Sequence, residues 1–209
     1  MKLSRGARLL AGAIGLVAII VQMQHGLRFN DLVLSNFFSY FTIQSNIIIV
    51  IIFLVGALVS STRFHTRRFQ LFRGAATTYI MTTGIVYFFF LRGLEAELQT
   101  TIPWVNFVLH TALPLYALLD WWLVSTDTRI SFRRIGLWIL YPVAYLIYTL
   151  LRGLVVEWYP YPFLDPGNGG YIQVAISSIV ITMLIVLCAS VVVGSRKWIA
   201  GRQLSAEVK

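Results

Sequence analysis

Apolar residues run along this chain in six long blocks separated by short polar loops. The blocks cover roughly 7–23, 37–59, 74–91, 104–124, 135–151 and 171–194. About 20 apolar residues cross the hydrocarbon core of a bilayer as one helix. The pattern therefore predicts an all-α fold: an integral membrane bundle of six transmembrane helices, filling residues 1–209 as one domain. The first block begins with Lys and Arg, as a signal peptide does. No convincing small-x-small cleavage site follows it, so it is read as a helix of the bundle.

Composition and charge sharpen this reading. The chain is 58% hydrophobic, above the roughly 45–50% of soluble domains. Its formal charge of +9 would suggest nucleic acid in a soluble protein, but the basic residues alternate by loop. Lys2, Arg5 and Arg8 precede the first block. Arg63, Arg67, Arg68 and Arg73 fall between the second and third. Arg129, Arg133 and Arg134 fall between the fourth and fifth, and Arg196, Lys197, Arg202 and Lys209 follow the sixth. Only Arg28, Arg92 and Arg152 fall in the other loops. The positive-inside rule places both termini in the cytoplasm. The basic loops suit an anionic inner leaflet, and nucleic acid is set aside as a partner. Asp31, Glu95, Glu97, Glu157 and Asp165 fall on the outer side.

One outer loop is long. Its centre, 158–170, is rich in aromatics, Pro and Gly, which end helices and make turns. Two readings stand level: a plug folded onto the bundle, or an interfacial anchor. Leu91-Arg92-Gly93-Leu94 and Leu151-Arg152-Gly153-Leu154 are similar, and chance explains that as well as an ancestral repeat does. The lone Cys188 reads as a small packing residue.

Candidate chemistry lies among polar residues inside the apolar blocks, where they are costly and tend to face the bundle interior. In the second block Ser35, Ser39, Thr42 and Asn46 are spaced to share one helix face. In the fourth, Asn106 and His110 share a face, and Pro114 follows. Proline has no N–H, so the carbonyl of His110 is expected to lose its helical partner and the helix to kink. At ~1.5 Å rise per residue, Thr42 and His110 both lie roughly 8–9 Å below the outer boundary. The bundle can thus join a hydroxyl nucleophile to an imidazole base, with Asn46 and Asn106 to orient the substrate or stabilise charge. The same residues also suit plain interhelical hydrogen bonding. Asp120 is too far along its helix to be a third member and is expected to pair with the basic residues beside Trp121 and Trp122. Arg92 and Arg152 end odd-numbered blocks. They suit a lipid carboxylate or phosphate, or alternatively pairing with Glu95, Glu97 and Glu157. No GxSxG, HExxH, CxxC or Walker pattern occurs.

Three segments carry a resemblance. They are Ser-Tyr-Phe-Thr-Ile-Gln-Ser-Asn46, Asn106-Phe-Val-Leu-His110-Thr-Ala-Leu-Pro114 and Tyr161-Pro-Phe-Leu-Asp165. With them the chain resembles the androgen-induced and androgen-dependent TFPI-regulating membrane proteins, and more closely their bacterial six-helix relatives. The animal members are threonine hydrolases of fatty acid esters of hydroxy fatty acids. Their threonine matches Thr42 and their histidine matches His110. In the animal pattern the proline lies one residue further past the histidine, so the resemblance implies fold and site but not substrate.

The expectation is a lipid ester hydrolase in the plasma membrane, the inner membrane for a bacterial chain. Thr42 is its nucleophile, His110 its base, and Asn46, Asn106, Arg92 and Arg152 its substrate-binding residues. Its partners are membrane lipids and a lipid ester, and no metal or other cofactor is needed. The alternative is a non-catalytic protein that binds or transports a small amphiphile.

Overall fold

A computed structural model describes residues 2–98, 100–124 and 130–207, and the side chains of those from 5 to 195. All regular elements among the described residues are helical. Five helical segments are long and apolar enough to cross a membrane: Arg5–Phe29, Phe41–Leu58, Arg67–Leu91, Phe132–Val156 and Pro166–Ser195. By length and composition the chain is thus a multi-pass membrane protein in contact with lipid.

The helices are α1 (Lys2–Phe29), the short α2 (Leu34–Phe37), α3 (Phe41–Leu58), the short α4 (Ser61–Phe64) and α5 (Arg67–Val86). A π turn, Tyr87–Leu91, ends α5. The fourth apolar block is helical throughout as α6 (Pro103–Phe107), a π turn (Val108–Ala112) and α7 (Leu113–Leu123). It is not among the five segments, because Asn106, His110 and Asp120 and its prolines lower its mean hydropathy. The chain ends with α8 (Ile135–Val156) and α9 (Pro166–Glu207), the latter non-helical at Gly169 and Gly170. Arg129 and Lys209, and the side chains of Lys2, Arg196, Lys197 and Arg202, lie outside the described residues.

Helix α3 packs between α1 and α5, and α5 also packs against α7 and α9. With lipid outside, helices associate by close packing and polar contacts rather than by hydrophobic exclusion from water. Small residues make the close approaches. A Cβ on Gly74 would meet Trp138 at 2.6 Å, and one on Gly84 would meet the His110 carbonyl oxygen at 3.0 Å. At the arginine-rich end, Asp120 pairs with both Arg8 and Arg73, as its surroundings led us to expect.

Three expectations change. The second block is not one helix. Tyr40 is extended (φ −71°, ψ 127°) and caps α3. Ser35 therefore lies on α2 and Ser39 in the turn after it, so Ser35 and Ser39 do not continue the helix face of Thr42 and Asn46. That turn is held from α8: Tyr145 donates to the Ser39 carbonyl (3.0 Å), and Ser39 Oγ pairs with Tyr148 (2.8 Å). The irregularity at Pro114 is a π turn, and it orphans a further carbonyl. The Leu113 amide reaches back to the Val108 carbonyl, a π register, and in that register Pro114 leaves Leu109 without a donor. Finally, the two Leu-Arg-Gly-Leu segments differ. Gly93 stands in a turn with φ +96°, whereas Gly153 lies inside α8. Their likeness is not one of local structure.

Candidate functional site

The first intrahelical bond of α3 runs from the Gln44 amide to the Tyr40 carbonyl (3.1 Å). The amides of Phe41, Thr42 and Ile43 therefore have no acceptor within the helix. Thr42 sits in this first turn rather than well inside a span. Its amide donates to the Tyr161 hydroxyl (3.1 Å), and its Oγ1 lies 3.2 Å from the same oxygen.

Tyr161 comes from the long loop between α8 and α9, which folds into the bundle as a plug. The ring is only 6% exposed. It stacks on Phe163 with centroids 5.1 Å apart and meets Tyr40 edge-on. Burial pushes the Tyr161 phenol up, against its hydrogen bonds with the Thr42 hydroxyl and with the Thr42 and Phe41 amides. It stays protonated at neutral pH and keeps an O–H to donate. Sequence reasoning flagged this loop but not this hydroxyl. The aromatic-Pro-aromatic run beside the matched motif was the available signal.

His110 lies in the π turn, 6% exposed. Its Nδ1 is 3.1 Å from the Asn106 carbonyl oxygen. A carbonyl only accepts, so Nδ1 carries the proton and Nε2 holds the free lone pair. Tyr87 stacks on the imidazole with centroids 4.1 Å apart. The Tyr87 hydroxyl donates to Glu95 (2.6 Å) and accepts from the Asn106 amide. Both π turns thus meet at His110. Such turns are frequent at functional sites.

Asn46 ties the two halves together. Its Nδ2 donates to the Thr42 carbonyl (2.8 Å) and to Leu109's orphaned carbonyl (3.2 Å). Its Oδ1 is buried without a partner.

Thr42, His110 and Tyr161 all border one cavity of about 40 Å³. Thr42 and Tyr161 also border a second, of about 80 Å³, lined mostly by apolar side chains such as Val86, Leu146 and Ile181. On the other side of His110 a broad groove of about 810 Å³ is lined by Arg92, Asn106, Tyr87 and Glu95. Of the expected site residues, Thr42 and His110 therefore share a cavity. Asn106 and Arg92 share the groove with His110, and Asn46 bonds the backbone at Thr42 and at Leu109. Arg152 stands apart, bonded to Ser35 (3.1 Å) and Asn36 (2.6 Å) and stacked over Trp158. The Thr42 hydroxyl bonds Tyr161 and not His110.

Compared with known proteins, the chain matches no family model, no curated protein and no solved structure.

Proposed function

We propose that the protein is a membrane-embedded lipid ester hydrolase with a threonine nucleophile. In this reading six helices cross the plasma membrane, the inner membrane of a bacterial cell, with both termini in the cytoplasm. The observation that carries the proposal is the single cavity bordered by Thr42, His110 and Tyr161.

The chemistry runs in two halves. Thr42 Oγ1 attacks the ester carbonyl carbon, and its proton passes to His110 Nε2, directly or through one water. The carbonyl oxygen becomes an oxyanion. The Tyr161 O–H is its donor, since the Asn46 amide is engaged with two carbonyls and the Thr42 amide with the Tyr161 oxygen. The ester C–O bond breaks, and His110 returns the proton to the departing alkoxide. Water then attacks the acyl-threonine, His110 takes its proton, and Thr42 Oγ1 leaves and is reprotonated. The sum is ester plus water to acid plus alcohol. The apolar cavity beside Thr42 suits an acyl chain, and Arg92 in the groove suits a carboxylate or headgroup.

One observation favours the second reading, a protein that binds or transports an amphiphile: the Thr42 hydroxyl is paired with Tyr161 rather than with a base. Turnover separates the two. Purified protein in mixed micelles with a panel of lipid esters should release fatty acid. Thr42→Ala and His110→Ala should each abolish release, the double variant should be little worse, and Thr42→Ser should retain part. Binding without release by the wild type would favour the second reading.

A further inference from the structure

Away from this site, the described residues at the arginine-rich end of the bundle hold an unbalanced buried charge. Arg8, Arg73 and Asp120 are each at most 5% exposed. Arg8 Nε donates to Asp120 Oδ1 (2.8 Å), and Arg73 Nη2 donates to Oδ2 (2.7 Å). Arg73 is then completed by the Asp120 carbonyl and by Gln70 Oε1 (3.1 Å). Arg8 is not completed. Its guanidinium lies over the Phe64 ring at 4.1 Å, and its buried Nη2 has no hydrogen-bond partner. Among the described residues, one carboxylate thus faces two guanidinium groups.

Arg8 also borders a small cavity of about 20 Å³ with Arg5, Ser61 and His65. Arg5 is half-buried and donates to the Val59 carbonyl at 2.6 Å, adding a further positive charge at this wall. A buried N–H left unbonded costs roughly 1–3 kcal/mol, and more on a charged group. A water would satisfy the N–H and leave the net charge as it is. An anionic oxygen meets both needs. The volume is enough for one such oxygen, since a water-sized atom needs roughly 10–15 Å³.

We propose that this cavity is a phosphate-binding site, taking one phosphate oxygen onto Arg8 Nη2 and Arg5 while the rest of the group sits at the mouth. The phosphate belongs either to a phospholipid headgroup or to free inorganic phosphate.

The test uses the full-length protein in a neutral maltoside detergent, with unfolding followed by tryptophan fluorescence. Phosphatidylglycerol, diacylglycerol and inorganic phosphate are added separately. A phosphate-bearing additive should raise the melting temperature by ~2–6 °C near saturation, and diacylglycerol should not. Whichever of the other two acts identifies the source. Arg8→Gln would break the ion pair with Asp120, so the informative variant is Arg5→Gln, which loses one backbone bond. It should lose most of the rise. Arg68→Gln, equal in charge change and exposed, should keep it. If neither phosphate source shifts the wild type, the cavity holds only water. If both variants respond alike, the effect is general surface charge. Either result overturns the proposal.

Discussion

A threonine hydroxyl is a weak nucleophile, and Thr42 draws its surroundings from three separate parts of the chain. The start of α3 supplies an amide that has no acceptor within the helix, the loop between α8 and α9 supplies the Tyr161 hydroxyl, and the π turn supplies His110. Tyr161→Phe keeps the ring that stacks on Phe163 and removes only the oxygen 3.2 Å from Thr42. In the proposed hydrolase it should lower kcat roughly 100-fold, the low end of the range for a lost oxyanion donor, and also lower the melting temperature, because the buried Thr42 amide loses its acceptor. Steady-state kinetics beside a melting curve checks this. Glu95 gives a pH signature. The Tyr87 hydroxyl and the Gly93 amide hold its carboxyl below the usual carboxylate range. A depressed carboxylate stabilises the fold above its unfolded pKa and loses that contribution as pH falls through the lower folded value. The difference in melting temperature between wild type and Glu95→Gln should therefore be present at neutral pH and fade as pH falls below the ordinary glutamate value of about 4.3. Thr42 and His110 were legible in the sequence because polar groups stand out in apolar helices. Tyr161 was not, because aromatics beside proline suit a membrane surface as well as a plug. Only the fold shows which one turns inward.

Among the elements, the junction of α3 with the π turn before α7 sets the site. Asn46 bonds backbone carbonyls on both sides of it, so Asn46→Ala leaves the Leu109 carbonyl buried without a donor. That should cost about 1–3 kcal/mol of stability and, in the proposed hydrolase, lower turnover as well, because Thr42 and His110 lose their common tether. Unfolding curves and rates on the same samples check it. Part of this junction could be read in advance. Pro114 signalled an irregular helix, but a proline does not reveal its register, and the π turn leaves the Leu109 carbonyl without a helical donor as well. The start of α3 was hidden for another reason. Phe37, Phe38 and Tyr40 continue the apolar run, and nothing local marks Tyr40 as the cap. Contacts from Tyr145, Tyr148 and Arg152 on α8 fix the turn, and those lie over a hundred residues away in sequence.

For the whole molecule, hydropathy alone gave an all-helical multi-pass protein, because a spanning helix is mostly a matter of length and apolar content. The fourth block shows the limit of that signal. It is helical over its length, yet it carries the polar residues the site needs, and so falls short of the apolar content of its neighbours. If six helices cross with the arginine-rich end inside, tags fused at Met1 and Lys209 should resist external protease on intact cells. Cleavage of either tag would remove the six-span arrangement. The central claim, that Thr42 is an activated nucleophile, is tested most directly by a fluorophosphonate probe on the protein in its membrane, with the labelled residue located by mass spectrometry. One adduct is expected, on Thr42, absent in Thr42→Ala and strongly reduced in His110→Ala. An unlabelled wild type, or equal labelling of Thr42→Ala, would contradict it.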